Sequence, residues 1–500
     1  MLAASFLTVI ALPVFLHLGI DPAIALPLSV LLGLASRYLF RLILTPESTD
    51  VFHPATLVAA YFITYFALRT FYLTVIPFFH RVGRNPYDDF LPAALWCGCA
   101  GYVAFSFGMR SKIARSWLRR LPNNQQHWPR ALPVFKLLVL MVLGLASLLY
   151  LFKIGQTVGN YTNKEFVRNP PPGIVVLLEN LTDLSFVALC VFLVAPTRKS
   201  SRGKVLLLLG ASLCILGMKL AISGGKIALI QPLLEAAIVY HYGRRRFRIW
   251  EMLLIGVPVI MLAFGVVNFY RFVVVGQHGI PKSLSDVISR VSTTSDLLGS
   301  EGTGDRQSAF EQMADRDAGV DALALIMKYT PHPFAYVYGV HWLEVPLTLV
   351  PRQFWKNKPI NMPSAEFEAT YMGMPAGFNG FSSMHLIGDL YRNFSFPGVL
   401  CGMFLFGIML RCLYLFCSPG RHNGAGLFLY AAIFPLIIHS LESDVGYAII
   451  NVGRASALAV GVTLFIGARF WKARRPKIAL RPGISSDQRG LVLDLPGEGA

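Results

Sequence analysis

The sequence predicts an all-α polytopic membrane protein, with about twelve transmembrane helices and one large extracytoplasmic, mostly helical loop. Three observations carry that expectation. Of the 500 residues, 54% are hydrophobic and only 14% are charged, where soluble domains carry about 25% charge. Mean hydropathy is +0.54, and apolar runs of the roughly 20 residues that a spanning helix needs recur along the chain. One long polar stretch, Gly276–Asn393, interrupts the series.

The first run, Met1–Ile20, has no basic segment ahead of it and leads almost directly into another from Ala23. That pattern predicts a retained helix rather than a cleaved signal. Spans are expected at 2–20, 23–43, 54–78, 90–109, 132–152, 173–195, 205–222, 227–241, 251–275, 396–417, 424–440 and 448–469. The eighth is short for a bilayer and suits a tilted or re-entrant helix. The chain then divides into 1–275 with spans one to nine, 276–393 as the loop with interfacial helices, 394–470 with spans ten to twelve, and the tail 471–500. Beyond Arg481 the tail is rich in Gly, Pro and Ser, the composition of a disordered cytoplasmic segment.

Orientation follows from the short connections. Basic residues crowd four of them: Arg110–Arg130, Arg198–Lys204, Arg244–Arg248 and the stretch after Phe470. Positive residues stay cytoplasmic, and twelve spans put all four clusters on one side, with both termini inside and the large loop outside. The formal net charge of +18 is this inside bias, with some attraction to anionic membrane lipid. No nucleic-acid partner is expected. The seven cysteines fall in or beside spans, so no disulfide framework is implied. Cys97-Gly98-Cys99 has no His or acidic neighbour and reads as small packing residues; no metal and no cofactor is expected.

The loop holds the chemistry-bearing side chains. Residues 281–317 are polar and rich in Ser, Gly and Asp. From Asp317 to Tyr329 the apolar spacing fits a helix, which His332-Pro333 breaks. The run Leu343–Val350 is too short to span and suits an interfacial helix with Trp342 as aromatic anchor. It ends in Val350-Pro351-Arg352-Gln353-Phe354-Trp355-Lys356-Asn357-Lys358-Pro359. Arg352, Lys356 and Lys358 suit a phosphate or pyrophosphate, Arg as a bidentate fork and Lys as point charges; a patch touching anionic lipid is the equal alternative. Glu366 and Glu368 follow, then a flexible Gly373–Ser383 flap, then His385 and Gly388-Asp389-Leu390-Tyr391-Arg392-Asn393. On a helix His385 and Asp389 share a face, as a His–carboxylate pair for general-base work or as a capping pair. Within spans, Arg69, Glu179, Asp183, Lys219, Lys226, Arg271, Glu442, Asp444 and Arg454 either line a cavity or pair with one another.

The Pro-Arg-x2-Trp-x2-Lys-Pro segment is followed about thirty residues on by Gly388-Asp389-Leu390-Tyr391-Arg392-Asn393-Phe394, opening a span. This order, with the Ser223-Gly224-Gly225-Lys226 turn upstream, resembles the Wzy-type O-antigen and oligosaccharide repeat-unit polymerases over roughly Ser223–Gly398. Two positions depart from the pattern: Lys226 stands where Arg is most common, and Ser395 where a Gly often follows the Asn-Phe pair. The resemblance implies a GT-C-like, metal-independent glycosyltransferase at the periplasmic face of a bacterial inner membrane. Its substrate would be an undecaprenyl-pyrophosphate-linked glycan, with a chain-length regulator protein and a flippase as candidate partners. It ties function to loop arginines, here Arg352 with Arg316 and Arg392. Such chemistry needs two lipid-anchored reactants held in line, a stabilised pyrophosphate and one proton acceptor. Arg352, Lys356 and Lys358, with Lys226 and Arg271, are expected on the pyrophosphate; Asp389, His385 or Glu366 is the candidate base. Tyr391 and Trp355 either stack on sugar or pack. An O-antigen ligase shares this topology, and a transporter is the non-enzyme alternative.

Overall fold

A computed structural model describes residues 2–44, 50–75, 88–119, 134–154, 227–243, 245–262, 319–348, 363–373, 383–417 and 424–466, parts of 178–219, single positions of 285–292, and residues 355 and 419. Every regular element among them is helical. In chain order these are α1 (Leu2–His17), α2 (Pro22–Leu44), α3 (Pro54–Val75), α4 (Leu91–Arg110), α5 (Ile113–Arg119), α6 (Val134–Ile154), α7 (Ile227–Gly243) and α8 (Ile249–Leu262). The loop segment supplies α9 (Gly319–Tyr329), α10 (Val340–Leu343), α11 (Val345–Thr348) and α12 (Pro363–Tyr371); α13 (His385–Cys417), α14 (Gly424–Glu442) and α15 (Val445–Ile466) complete the set.

Four helical stretches among the described residues are long and apolar enough to cross a membrane: Pro54–Val75, Asp88–Leu118, His385–Cys417 and Val445–Ile466. Their surroundings agree with a lipid solvent. Phe107, Phe135, Val142, Trp250, Leu254 and Leu405 are large apolar side chains standing exposed, a pattern that marks a surface not meant for water.

α3 starts where its sequence says it should. The His53 side chain accepts from the Ala55 amide at 3.2 Å, and Pro54 occupies the first turn, where its missing N–H costs nothing. Midway it widens into a π-helical segment, Ile63–Leu68. Such segments gather at functional sites because they re-aim the side chains around them. Tyr65 lies within this segment, and Tyr61 and Arg69 flank it.

The centre of the bundle is the crossing of α4 and α13, made close by glycine. A Cβ on Gly407 would come 2.9 Å from the Met109 amide nitrogen, and one on Gly108 would overlap the Phe404 carbonyl. Phe62, Phe66, Tyr102, Phe105 and Val399 fill the space around it.

The loop helix α9 is no surface helix. All eight residues Gly319–Ile326 are buried, against α13 and α4. Asp321 receives Arg69 of α3 from two nitrogens, Nε at 3.0 Å and Nη2 at 2.7 Å. Of the two options for Arg69, pairing is the one realised. At the opposite end of α13, Asp50 accepts from the hydroxyls of Tyr242 and of Tyr414, the latter at 2.7 Å, tying α7 and α13 to the entry of α3.

Candidate functional site

α13 leads from the loop into the bundle, with a break at Phe394 (φ −139°) and Ser395 (φ +60°, ψ −157°) two to three residues ahead of Pro397. The turn above the break carries Asp389, Arg392 and Asn393, all buried, and it organises the loop around it. Asn393 Oδ1 accepts from the Gly339 amide at 2.7 Å, and its Nδ2 donates to Asp389 Oδ1 at 2.8 Å. Asp389 Oδ2 accepts from Trp342 Nε1 at 3.2 Å and from the Val445 amide at 3.0 Å. Main-chain bonds from Val337 to Arg392 and from Tyr338 to Asn393 complete the clamp. The segment 337–342 is therefore seated on α13 and tied to the start of α15. Trp342 belongs to this seat, its ring 5.4 Å from that of Phe394, rather than serving as a free anchor in the bilayer.

What the clamp presents is His341. Its Nε2 lies 3.0 Å from Glu366 Oε2, and the other oxygen of Glu366 accepts from Arg392 Nη2. Arg392 is held in turn by the ring of Tyr371, 5.9 Å from its Cζ, while the Tyr371 hydroxyl meets that of Thr330 at 2.7 Å. The hydrogen bond and charge of Glu366 raise the His341 pKa above the ordinary imidazole range. Burial works against the Glu366 carboxylate, but His341 and Arg392 more than offset it and hold its pKa down. An imidazole, a carboxylate and a buried guanidinium are thus joined through the two oxygens of Glu366.

The expected His385–Asp389 pair is not made. His385, the first residue of α13, has φ +57°, which is not helical backbone, and the i, i+4 rule, which needs both residues helical, does not apply. Its ring points to α3 instead, with Nδ1 2.9 Å from the Tyr61 hydroxyl. The rings of Tyr61 and Tyr65 stack at 4.8 Å, and the Tyr65 hydroxyl bonds to Glu442. Lys219 pairs with Asp183, and Asp444 accepts from the Tyr447 amide at 2.8 Å.

Tyr391 lines a mostly apolar cleft of about 380 Å³ with Phe90, Ala93, Trp96, Cys97, Met327 and Phe396. Trp355 is half-buried. Arg316, Arg352, Lys356, Lys358, Lys226 and Arg271 lie outside the described residues, as does the greater part of the Gly373–Ser383 flap. Sequence reasoning named Glu366 and Arg392 but missed His341, which lies far from both in the chain. The Gly339-Val340-His341-Trp342 turn held the one available signal, a left-handed Gly339 (φ +76°) opening a helix of a single turn.

A family model described as a domain of unknown function (DUF8712) matches residues 151–418, more than half of the chain. The stretch from His341 to Asn393 falls inside the match. No curated protein and no solved structure matches.

Proposed function

The chain belongs to the DUF8712 family; from the chemistry of its loop we propose that it is a lipid-linked glycosyltransferase, polymerising oligosaccharide repeat units carried on undecaprenyl pyrophosphate. The observation that carries this reading is the shared carboxylate of Glu366, bridging His341 and Arg392. It supplies in one place a proton acceptor and a fixed cation, the two things the reaction asks of a protein whose donor arrives already activated. In this reading the twelve expected spans leave both termini in the cytoplasm. The 337–393 region then faces the periplasm of a bacterial inner membrane.

The acceptor sugar's hydroxyl oxygen attacks the donor's anomeric carbon. The bond from that carbon to the pyrophosphate oxygen breaks, and the hydroxyl proton passes to His341. Glu366 orients the imidazole and raises its basicity. Negative charge developing on the departing pyrophosphate is met by Arg392 and, from the loop, by Arg352, Lys356 and Lys358. Asp389 and Asn393 act one step back, by holding the 337–342 segment. The cleft beside Tyr391 suits one apolar chain of a lipid carrier.

The test is the glycan profile of a deletion strain complemented with wild type, Arg352→Ala or His341→Ala, on a gel that resolves chain length. Single repeats without a ladder are expected for both variants, with the protein still in the membrane. Polymer accumulating on undecaprenyl pyrophosphate with none delivered onward would make the chain a ligase. An unchanged ladder would end the polymerase reading.

A further inference from the structure

The side chain of Arg392 is 3% exposed, whereas the carboxylate that meets it, Glu366, is 40% exposed. Glu366 thus lies on the open side of a buried guanidinium. Its grip is incomplete. A guanidinium offers two bidentate edges, Nε with Nη2 and Nη1 with Nη2, and Nη2 is the corner common to both. Glu366 places one oxygen at that corner and sends the other to His341. Both edges are blocked and neither is completed. Nε and Nη1 of Arg392 are buried without a hydrogen-bond partner among the described residues, a costly state for a charged donor.

Everything else about Arg392 is fixed. The Tyr371 ring lies over it, Thr330 holds Tyr371, and the carbonyls of Arg392 and Asn393 accept from the amides of Val337 and Tyr338. A cation so rigidly held, with two dry N–H groups and a half-exposed stopper, is built for a ligand better than the one it has. A free carboxylate could complete one edge, but with a single charge and two oxygens it could do no more. A phosphoryl group brings more negative charge and three oxygens, enough to take a bidentate edge and reach further donors.

We infer that Glu366 is a displaceable plug on an anion subsite centred on Arg392, and that the subsite takes a phosphate-class ligand such as a pyrophosphoryl group. On binding, the ligand takes a full edge of Arg392 and Glu366 is left to His341 alone. Anion binding and preparation of the imidazole are then one event. The subsite stands on geometry; only the identification of its ligand as a lipid headgroup rests on the polymerase reading.

The experiment titrates inorganic pyrophosphate, and separately farnesyl pyrophosphate, into the full-length protein in lipid nanodiscs. Removing the plug raises the fraction of binding-competent protein, so Glu366→Ala should tighten pyrophosphate binding by about tenfold. Glu366→Gln, which keeps the shape and loses the charge, should tighten it less. Arg392→Lys, a point charge without a bidentate edge, should weaken it by about tenfold or more. Unchanged or weaker binding in Glu366→Gln, at a wild-type melting temperature, would overturn the plug even if Glu366→Ala fails to fold. Tighter binding of farnesyl pyrophosphate than of pyrophosphate identifies a lipid headgroup as the ligand; equal binding identifies a free anion. If titrations follow expectation while Arg392→Lys leaves the glycan ladder intact, the plug stands and the polymerase reading falls. A lost ladder with no effect of either Glu366 variant on binding does the reverse.

Discussion

A carboxylate held between an imidazole and a guanidinium is tuned by both, and its pH response follows. Glu366 raises the pKa of His341 and is itself lowered; Arg392, Glu344 and Asp444 also act on this imidazole. A raised histidine contributes stability below its unfolded pKa of about 6.5 and loses it as pH climbs through the folded value. A lowered carboxylate contributes above its unfolded pKa of about 4.3 and loses it as pH falls through the folded value. The pair therefore counts most in mildly acidic solution. The gap in melting temperature between wild type and His341→Gln should be widest there and shrink above neutrality. A gap that stays constant from acid to alkaline pH would mean the pair does not form. A His–carboxylate pair was legible from residue types and Glu366 was named as a candidate base, but His341 was not. Chain-local spacing can propose only neighbours, such as His385 and Asp389, whereas Glu366 and His341 meet through tertiary folding.

At the scale of elements, the break in α13 decides how the site meets the bundle. Ser395 has φ +60° and ψ −157°, a region essentially open to glycine alone and costing other residues about 1–3 kcal/mol. The sequence had marked this position without explaining it, since Ser395 stands where the resembling polymerases often carry glycine. The backbone supplies the reason. The break sits at the edge of the apolar cleft, which Tyr391 and Phe396 line on either side of it. Ser395→Gly should relieve the strain and raise stability by about 1 kcal/mol, whereas Ser395→Val should lower it. Thermal unfolding in detergent reads both. A destabilised Ser395→Gly would mean that contacts of the serine side chain outweigh the backbone term. Periodicity placed the helix below this break but could not see the turn above it. That turn is ordered by Gly339, Trp342 and Val445, all distant in sequence.

For the whole molecule, the question is whether the large loop is a domain on top of a membrane bundle or part of the bundle. Apolar length made the long helices legible, and the 317–329 spacing made α9 legible as a helix, though not as a core helix. Its buried face also carries the tie between Asp321 and Arg69, two residues whose charges a hydropathy reading keeps apart. In an apolar interior, removing one partner strands the other, at a cost of about 3–5 kcal/mol, while replacing both by apolar residues of similar volume is often neutral. Arg69→Met and Asp321→Leu alone should therefore lower the melting temperature and the yield of membrane-inserted protein. The double variant should recover most of both. Recovery together with a normal glycan ladder would show that the pair only docks the loop. Recovery of folding without the ladder would place Arg69 or Asp321 in the chemistry, since the site's fixed geometry depends on α9 being docked and not on how it is docked. Losses that simply add, with the double variant as low as the two single effects summed, would contradict the docking role itself, and with it the view that loop and bundle share one core.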